Sequence, residues 1–427
     1  MRHMKDKVEV RFLGGAREVG RSAILISYRN TRLLLDYGVL VGDGKPELPI
    51  HVPPRDIDAI IVTHAHLDHS GAAPFFYISC TPPLYTTSLT KQLSDILIRD
   101  LLNLSHYYLP FEVLELVTML DNTRKVKAEK TVKVKDATIT FFRAGHIPGS
   151  LSVLVEIGGR YIWYSGDINT IDTRLLTGAS LEGLPEVDLA IIESTYALTD
   201  HPDRMENERK LIEVLSDVVD GGGLALVPAF SVGRSQEILC ILEAHGFEYP
   251  VAVDGMARIA SKILIQHPKE IRDPELLRRA VKKAHFVTGG KDREKVRKRP
   301  GVVVSPAGML TGGAAAYYME KVAKNPKDAV ILVSYQIPGT PGRRLLDEGR
   351  YELKGKPVKV KCRVEWLDFS SHCGRKELHE LVKSLKGSPT VVTVHGEAEA
   401  CKEFAAWIRD EVGFKAMAAK LGEKVVL

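Results

Sequence analysis

At 427 residues the chain exceeds what one ordinary hydrophobic core organises, so more than one domain is expected. A hydrophobic content of 44% with 26% charged residues excludes a disordered or fibrous chain, and no apolar run approaches the roughly 20 residues that cross a bilayer. The net charge of +5 permits a polyanionic partner without demanding one.

The N-terminal stretch MRHMKDKVEV has basic residues but no apolar h-region, so no secretory signal is expected and the cytoplasm is the expected compartment. The five cysteines, Cys80, Cys240, Cys362, Cys373 and Cys401, are scattered singly with no C-x-x-C pair. That spacing argues for reduced, structural thiols.

Strands are predicted for VEVRFLG, RLLLDYG and AIIVTHA near the N-terminus, followed by TITFFRA, RYIWYSGD and LAIIEST. After residue 203 the character changes. Helical segments such as RKLIEVLSDVV, SQEILCILEAHG, PELLRRAVKKA and AAAYYMEKVAK alternate with the apolar runs LALVPAF, GVVVSPAG and AVILVSYQ, the rhythm of a doubly wound parallel sheet. The chain then returns to strand-rich sequence, with TVVTVHGE and final helices near 375–386 and 397–411. An α/β protein with a middle domain inserted into a discontinuous outer one is expected, divided as 1–195, 196–345 and 346–427. Two runs concentrate lysine and arginine, 281–299 and 342–363; taken alone, each reads as a solvated face.

Several predicted strands end in Asp, His or Glu, and α/β sheets build their sites at strand C-termini. The most crowded is IIVTHAHLDHSGA, where His64, His66, Asp68 and His69 fall within six positions of an apolar run. Burying four such groups unpaired is costly, whereas imidazoles and a carboxylate at this spacing suit Zn²⁺, and one loop can serve two ions. Completing two coordination shells needs ligands from elsewhere, and His146 in FFRAGHIPGS, Asp167 in WYSGDIN and His395 in VTVHGEAE stand at other strand ends.

Together with Asp36 in LLLDYG, Glu193 in IIESTY and His372 in DFSSHCGR, these motifs resemble the metallo-β-lactamase superfamily, specifically its β-CASP nucleases, across essentially the whole chain. The resemblance implies a metallo-β-lactamase αβ/βα sandwich with an inserted doubly wound β-CASP domain. Carried over residue by residue, one zinc takes His64, His66 and His146, the other takes Asp68, His69 and His395, and Asp167 bridges them. Two zinc ions would activate water for attack on phosphorus. Asp36, Asp68, Glu193 and His372 form the implied catalytic set: Asp36 orients a ligand or the attacking water, and His372 is the general acid held by Glu193.

RNA is the implied substrate, because β-CASP members acting on RNA carry histidine at the position of His395 where DNA-repair members carry valine. PAFSVGRSQEI and SPAGMLTGGAAAYY resemble segments lining the RNA cleft, so Ser231, Gly233, Arg234, Gly308 and Gly312, with Arg343 in GTPGRRLLDEG, are the candidate contacts to single-stranded RNA. The wording of FSSHCGR and VVTVHGE is closest to archaeal nucleases of the cleavage and polyadenylation specificity factor type without KH domains. The implied activity is endonucleolytic, 5′→3′ exonucleolytic or both, in RNA processing or 3′-end maturation. Homodimerisation is common among these relatives, and the C-terminal EKVVL is a candidate contact. Ala197 and Gly374 depart from the Gly and Asp often found at their positions. Two other readings use the same residues: a small-molecule zinc hydrolase of the superfamily, which needs neither Glu193 nor His372, and a non-catalytic RNA-binding subunit, which needs no complete ligand set.

Overall fold

The computed structural model describes residues 7–41, 45–105, 108–337, 339–353 and 355–427. The first six residues and Lys354 of the second basic run lie outside that set. The chain forms two compact units. The first comprises 1–172, 177–200 and 372–427; the second comprises 173–176 and 201–371.

Among the described residues the first unit holds two seven-stranded sheets. One runs in the order Lys424–Val426, Glu9–Gly14, Ala23–Tyr28, Thr31–Leu35, Ala59–Ile61, Leu84–Thr87, Thr123–Val126. The other runs Ala416–Ala418, Thr390–Val394, Leu189–Glu193, Arg160–Tyr164, Leu151–Ile157, Ala137–Arg143, Thr131–Val134. Alternating side chains from both sheets, among them Ile24, Leu33, Ile61, Ile139, Val153, Ile191 and Val392, form one buried cluster between them. Each outer face is sealed by helices. Leu101, Leu116 and Met119 of helices Ser88–Ser105 and Val113–Asp121 pack on the first sheet. Leu378, Leu381 and Phe404 of helices Arg375–Lys383 and Ala398–Trp407 pack on the second. The result is the expected αβ/βα sandwich.

The second unit is built on a six-stranded sheet in the order His285–Phe286, Val251–Val253, Gly301–Ser305, Leu224–Pro228, Ala329–Leu332, Arg363–Trp366. Every pairing is parallel. Its central strands are buried on both faces, as their unbroken Val, Leu and Ala content requires. One buried cluster lies on each face, which makes the sheet doubly wound. The strand Arg363–Trp366 extends this sheet in register with Ala329–Leu332. Residues 346–371 therefore pack with the inserted unit rather than with the returning outer part to which the sequence reading assigned them. No helix among the described residues is long and apolar enough to cross a membrane.

Candidate metal and catalytic site

The site lies in the first unit, at the ends of strands from both of its sheets. Asp36 follows Thr31–Leu35 in left-handed backbone, φ 58°. His64 and His66 follow Ala59–Ile61, and a four-residue helix, Leu67–Ser70, turns Asp68 and His69 inward. The helix fits only because Gly38 lacks a side chain, since a Cβ there would stand 1.8 Å from the Asp68 carbonyl oxygen. His146 follows Ala137–Arg143, Asp167 follows Arg160–Tyr164, and Glu193 closes Leu189–Glu193. His395, at φ 47°, follows Thr390–Val394, which lies parallel to Leu189–Glu193 with Val394 opposite Glu193.

The seven candidate ligands come together in two groups. His64, His66, His146 and Asp167 present ligand atoms within 4.8 Å of one another, as do Asp68, His69, Asp167 and His395. Asp167 belongs to both. Its Oδ2 lies 3.5 Å from His64 Nε2 and 3.6 Å from His146 Nε2, and its Oδ1 lies 3.1 Å from His69 Nε2 and 3.3 Å from His395 Nδ1. On the other edge of its ring, His395 Nε2 is 3.2 Å from Asp68 Oδ2.

The surroundings fix which ring atom two of the candidate ligands, His69 and His64, turn inward. Asp36 is fully buried and accepts from the Thr63 N–H at 2.8 Å, the Thr63 hydroxyl at 2.9 Å and the Tyr164 hydroxyl at 3.1 Å. Its Oδ2 is also 2.8 Å from His69 Nδ1, which must therefore donate, leaving Nε2 to face inward. Thr63 has spent its proton on Asp36, so it accepts from His64 Nδ1 at 3.1 Å, and His64 Nε2 likewise faces inward. That nitrogen is buried and makes no hydrogen bond. A buried imidazole nitrogen left orphaned beside a carboxylate and two further imidazoles is the signature of a metal pocket, and the donor set fits a borderline cation. Burial pulls His64 and His66 below the ordinary imidazole range, favouring the neutral, ligating form. Burial would do the same to His69, but the charges of Asp167 and Asp36 outweigh it and push that group up. Asp167 is driven well down: burial opposes the ionised form, and the charges of His395 and His69 win.

Beside this pocket, His372 Nδ1 meets both oxygens of buried Glu193, and the His372 ring centroid is 4.4 Å from that of His146. Asp167, Glu193 and His372 themselves form a third convergent group. Asp36 thus touches the ring of His69, one of the candidate ligands. Thr63, Tyr164 and Thr195 were not expected. Thr63 directly precedes His64 and Thr195 lies two residues after Glu193, and those adjacencies were the available signal.

The six candidate RNA contacts lie in the second unit, in loops or helix starts beyond the C-terminal ends of parallel strands. Gly233, at φ 82°, caps helix Arg234–Ala244, and its N–H is taken by the Gln236 side chain. Ser231 gives its carbonyl to Gln236. Arg234 is buried and donates to the Ser371 hydroxyl at 3.4 Å. Gly308 packs against the Ala229–Phe230 backbone, and Gly312 caps helix Gly313–Val322. Arg343, on helix Pro341–Glu348, is exposed and pairs with Asp347.

Three domain families match the chain: a β-lactamase superfamily domain at 31–218, a β-CASP domain at 235–345, and a Zn-dependent metallo-hydrolase RNA specificity domain at 357–419. The chain is 38% identical to a Saccharolobus solfataricus protein named RNase aCSPSF2, over 98% of this chain and 85% of that one. It is 36% identical to a probable RNase of Methanocaldococcus jannaschii, over 98% and 100% of the two chains. A transcription termination factor, FttA, from the same organism is 36% identical over 94% of this chain and 69% of its own. The fold also matches a crystal structure of an Enterococcus faecalis protein of unknown function, with a TM-score of 0.62 and 16% identity over 99% and 100% of the two chains. Motifs, architecture, metal pocket and relatives agree, and the chain belongs to the β-CASP family of the metallo-β-lactamase superfamily.

Proposed function

We propose that this protein is a zinc-dependent ribonuclease that hydrolyses phosphodiester bonds of single-stranded RNA at a two-zinc centre. The observation that carries the reading is the His372–Glu193 pair beside a complete ligand set. A zinc hydrolase of small molecules needs no such pair, and a non-catalytic RNA-binding subunit needs no complete set. Close relatives bear ribonuclease names, and the C-terminal family is described as an RNA specificity domain.

In this reading His64, His66 and His146 hold one ion, Asp68, His69 and His395 hold the other, and Asp167 serves both. When bound, the zinc pair lowers the pKa of water and withdraws charge from the phosphate. The chain's own groups do the rest. Asp36 and Thr63 hold His69 and His64 in their ligating tautomers. Glu193, accepting from His372 Nδ1, keeps that ring oriented so that Nε2 is the atom that gives a proton to the leaving oxygen as the phosphorus–oxygen bond breaks. In the second unit, the loops around Gly233, Gly308 and Gly312 with Arg343 supply phosphate contacts. The same reading makes the protein a cytoplasmic homodimer acting in RNA processing or 3′-end maturation.

Incubating the zinc-loaded protein with 5′-labelled RNA bearing a monophosphate or a triphosphate tests this. Internal cuts identify an endonuclease, and a mononucleotide ladder from the 5′ end identifies an exonuclease. Intact RNA alongside hydrolysis of a chromogenic lactam or thioester would overturn the reading. Sedimentation velocity tests the dimer.

A further inference from the structure

We propose that Thr195 is a positioning residue that ties the ligand His395 to the Glu193–His372 pair and sets the tautomer in which His395 meets a cation. The inference rests on the zinc reading above.

The geometry begins in the backbone. Leu189–Glu193 and Thr390–Val394 are parallel neighbours, so their following loops leave the sheet side by side. The Ser194 N–H donates to the His395 carbonyl at 3.1 Å, and a Cβ on Gly396 would stand 2.6 Å from the Ser194 carbonyl oxygen. This close approach carries the Thr195 hydroxyl between two functional groups. Its Oγ1 is 2.5 Å from Glu193 Oε2, 3.3 Å from His395 Nδ1 and 3.1 Å from the His395 carbonyl.

Proton counting decides the direction of each bond. A threonine hydroxyl has one proton, and an ionised carboxylate can only accept. The shortest of the three contacts is to Glu193, and charge-assisted bonds are the strong ones, so the proton goes there. Thr195 Oγ1 is then an acceptor towards His395. The other group near Nδ1, Asp167 Oδ1 at 3.3 Å, is an acceptor too. Asp68 Oδ2 stands at 3.2 Å from Nε2 in the same way, so the two candidate-ligand carboxylates do not distinguish the ring nitrogens. The Thr195 acceptor does, placing the proton on Nδ1 and leaving the Nε2 lone pair for the cation on the side of Asp68. Thr63 serves His64 through Asp36 in the same way. Two threonines thus perform one task in two places, each donating to a buried carboxylate and accepting from a ligand ring. Thr195 differs in its carboxylate, which also holds the proposed general acid.

The test uses the full-length chain loaded with zinc. Wild type, Thr195→Val and Thr195→Ser are compared by zinc affinity against a chromophoric chelator without RNA, by long-range ¹H–¹⁵N correlation of labelled histidines, and by kcat and KM on RNA. Wild-type His395 should show a protonated Nδ1 and a metal-bound Nε2. Thr195→Val should weaken the more labile zinc about tenfold, as loss of a group orienting a ligand does, and lower kcat with KM unchanged. Thr195→Ser should restore both. A protonated Nε2 on His395, a Thr195→Val protein with wild-type zinc affinity and kcat, or failure of serine to rescue would each overturn the role, even where the valine variant folds poorly. Wild type that takes up no zinc would overturn the metal reading itself, and this role with it.

Discussion

His372 Nδ1 lies 2.8 Å from one Glu193 carboxylate oxygen and 2.9 Å from the other, although 179 residues separate the two in the chain. Glu193 is fully buried and also accepts from the Ile168 N–H at 2.8 Å, so the carboxylate is a fixed anchor and the ring is what it aims. If His372 is the general acid of the zinc enzyme proposed above, replacing it with alanine should reduce kcat by about 10²-fold or more, the usual loss for that role, and leave the zinc content intact. Elemental analysis beside single-turnover kinetics checks this; zinc leaving with the side chain would assign His372 to the ligand set instead.

Asp167 stands in both ligand groups, and no other residue does so for those two. Asp167→Ala should therefore deplete both sites together, seen as metal content well below that of wild type and a thermal midpoint no longer raised by added zinc. A variant that keeps two zinc ions would contradict the bridging assignment.

Asp36 accepts four contacts, from the Thr63 N–H, the Thr63 and Tyr164 hydroxyls and His69. Three of these, His69 among them, converge on Oδ2 while Oδ1 takes only the Thr63 N–H, so Asp36→Asn sets its NH₂ against one group or the other and removes the charge that holds His69. Zinc affinity is expected to fall about 10- to 100-fold, measured by chelator competition, without loss of any direct ligand.

The second unit carries its own acid-sensitive anchor. Glu237 is buried and accepts from Arg204 at 2.5 Å and from the backbone N–H groups of Arg174 and Leu175 at 3.0 and 2.8 Å. Burial alone would raise its carboxyl, but the charge and hydrogen bond of Arg204 hold it below the ordinary value. A depressed carboxylate stabilises the fold at pH above its ordinary pKa of about 4.3, and that contribution is lost as pH falls through the lower, folded value. Glu237→Gln should cost about 3–5 kcal/mol at neutral pH, since Arg204 is left without its counter-charge. Denaturant titrations at pH 7 and in the acid range should show the wild-type advantage shrinking on acidification.

If loops of the second unit hold phosphates, RNA affinity should fall linearly on a log–log plot against salt, with a slope reporting the number of phosphates neutralised. Arg343→Ala should reduce that slope by about 1, read by fluorescence anisotropy over a range of ionic strengths.

The metal pocket was legible because its chemistry is concentrated. His64, His66, Asp68 and His69 stand together after an apolar strand, where packing offers no use for them. The distant members were legible only as polar residues at strand ends, and the motifs joined them. What stayed hidden depended on tertiary approach. The strand Arg363–Trp366 is short, charged and partly exposed, so nothing in RVEW announces a partner more than thirty positions earlier in Ala329–Leu332. Arg234 reads as a surface cation and is buried. Thr63 and Thr195 are ordinary strand-end threonines until folding sets a carboxylate on one side of each hydroxyl and an imidazole on the other.

Asp68 and His395 meet across 327 residues of chain. Translation delivers the other six candidate ligands by residue 167, but the seventh comes with Thr390–Val394 and the parallel pairing that seats it. A ribosome-bound polypeptide shorter than that holds one of the two ligand groups complete and the other without His395. Under the function proposed above, such an enzyme stays harmless to the very message from which it is being read until its last ligand has emerged from the exit tunnel.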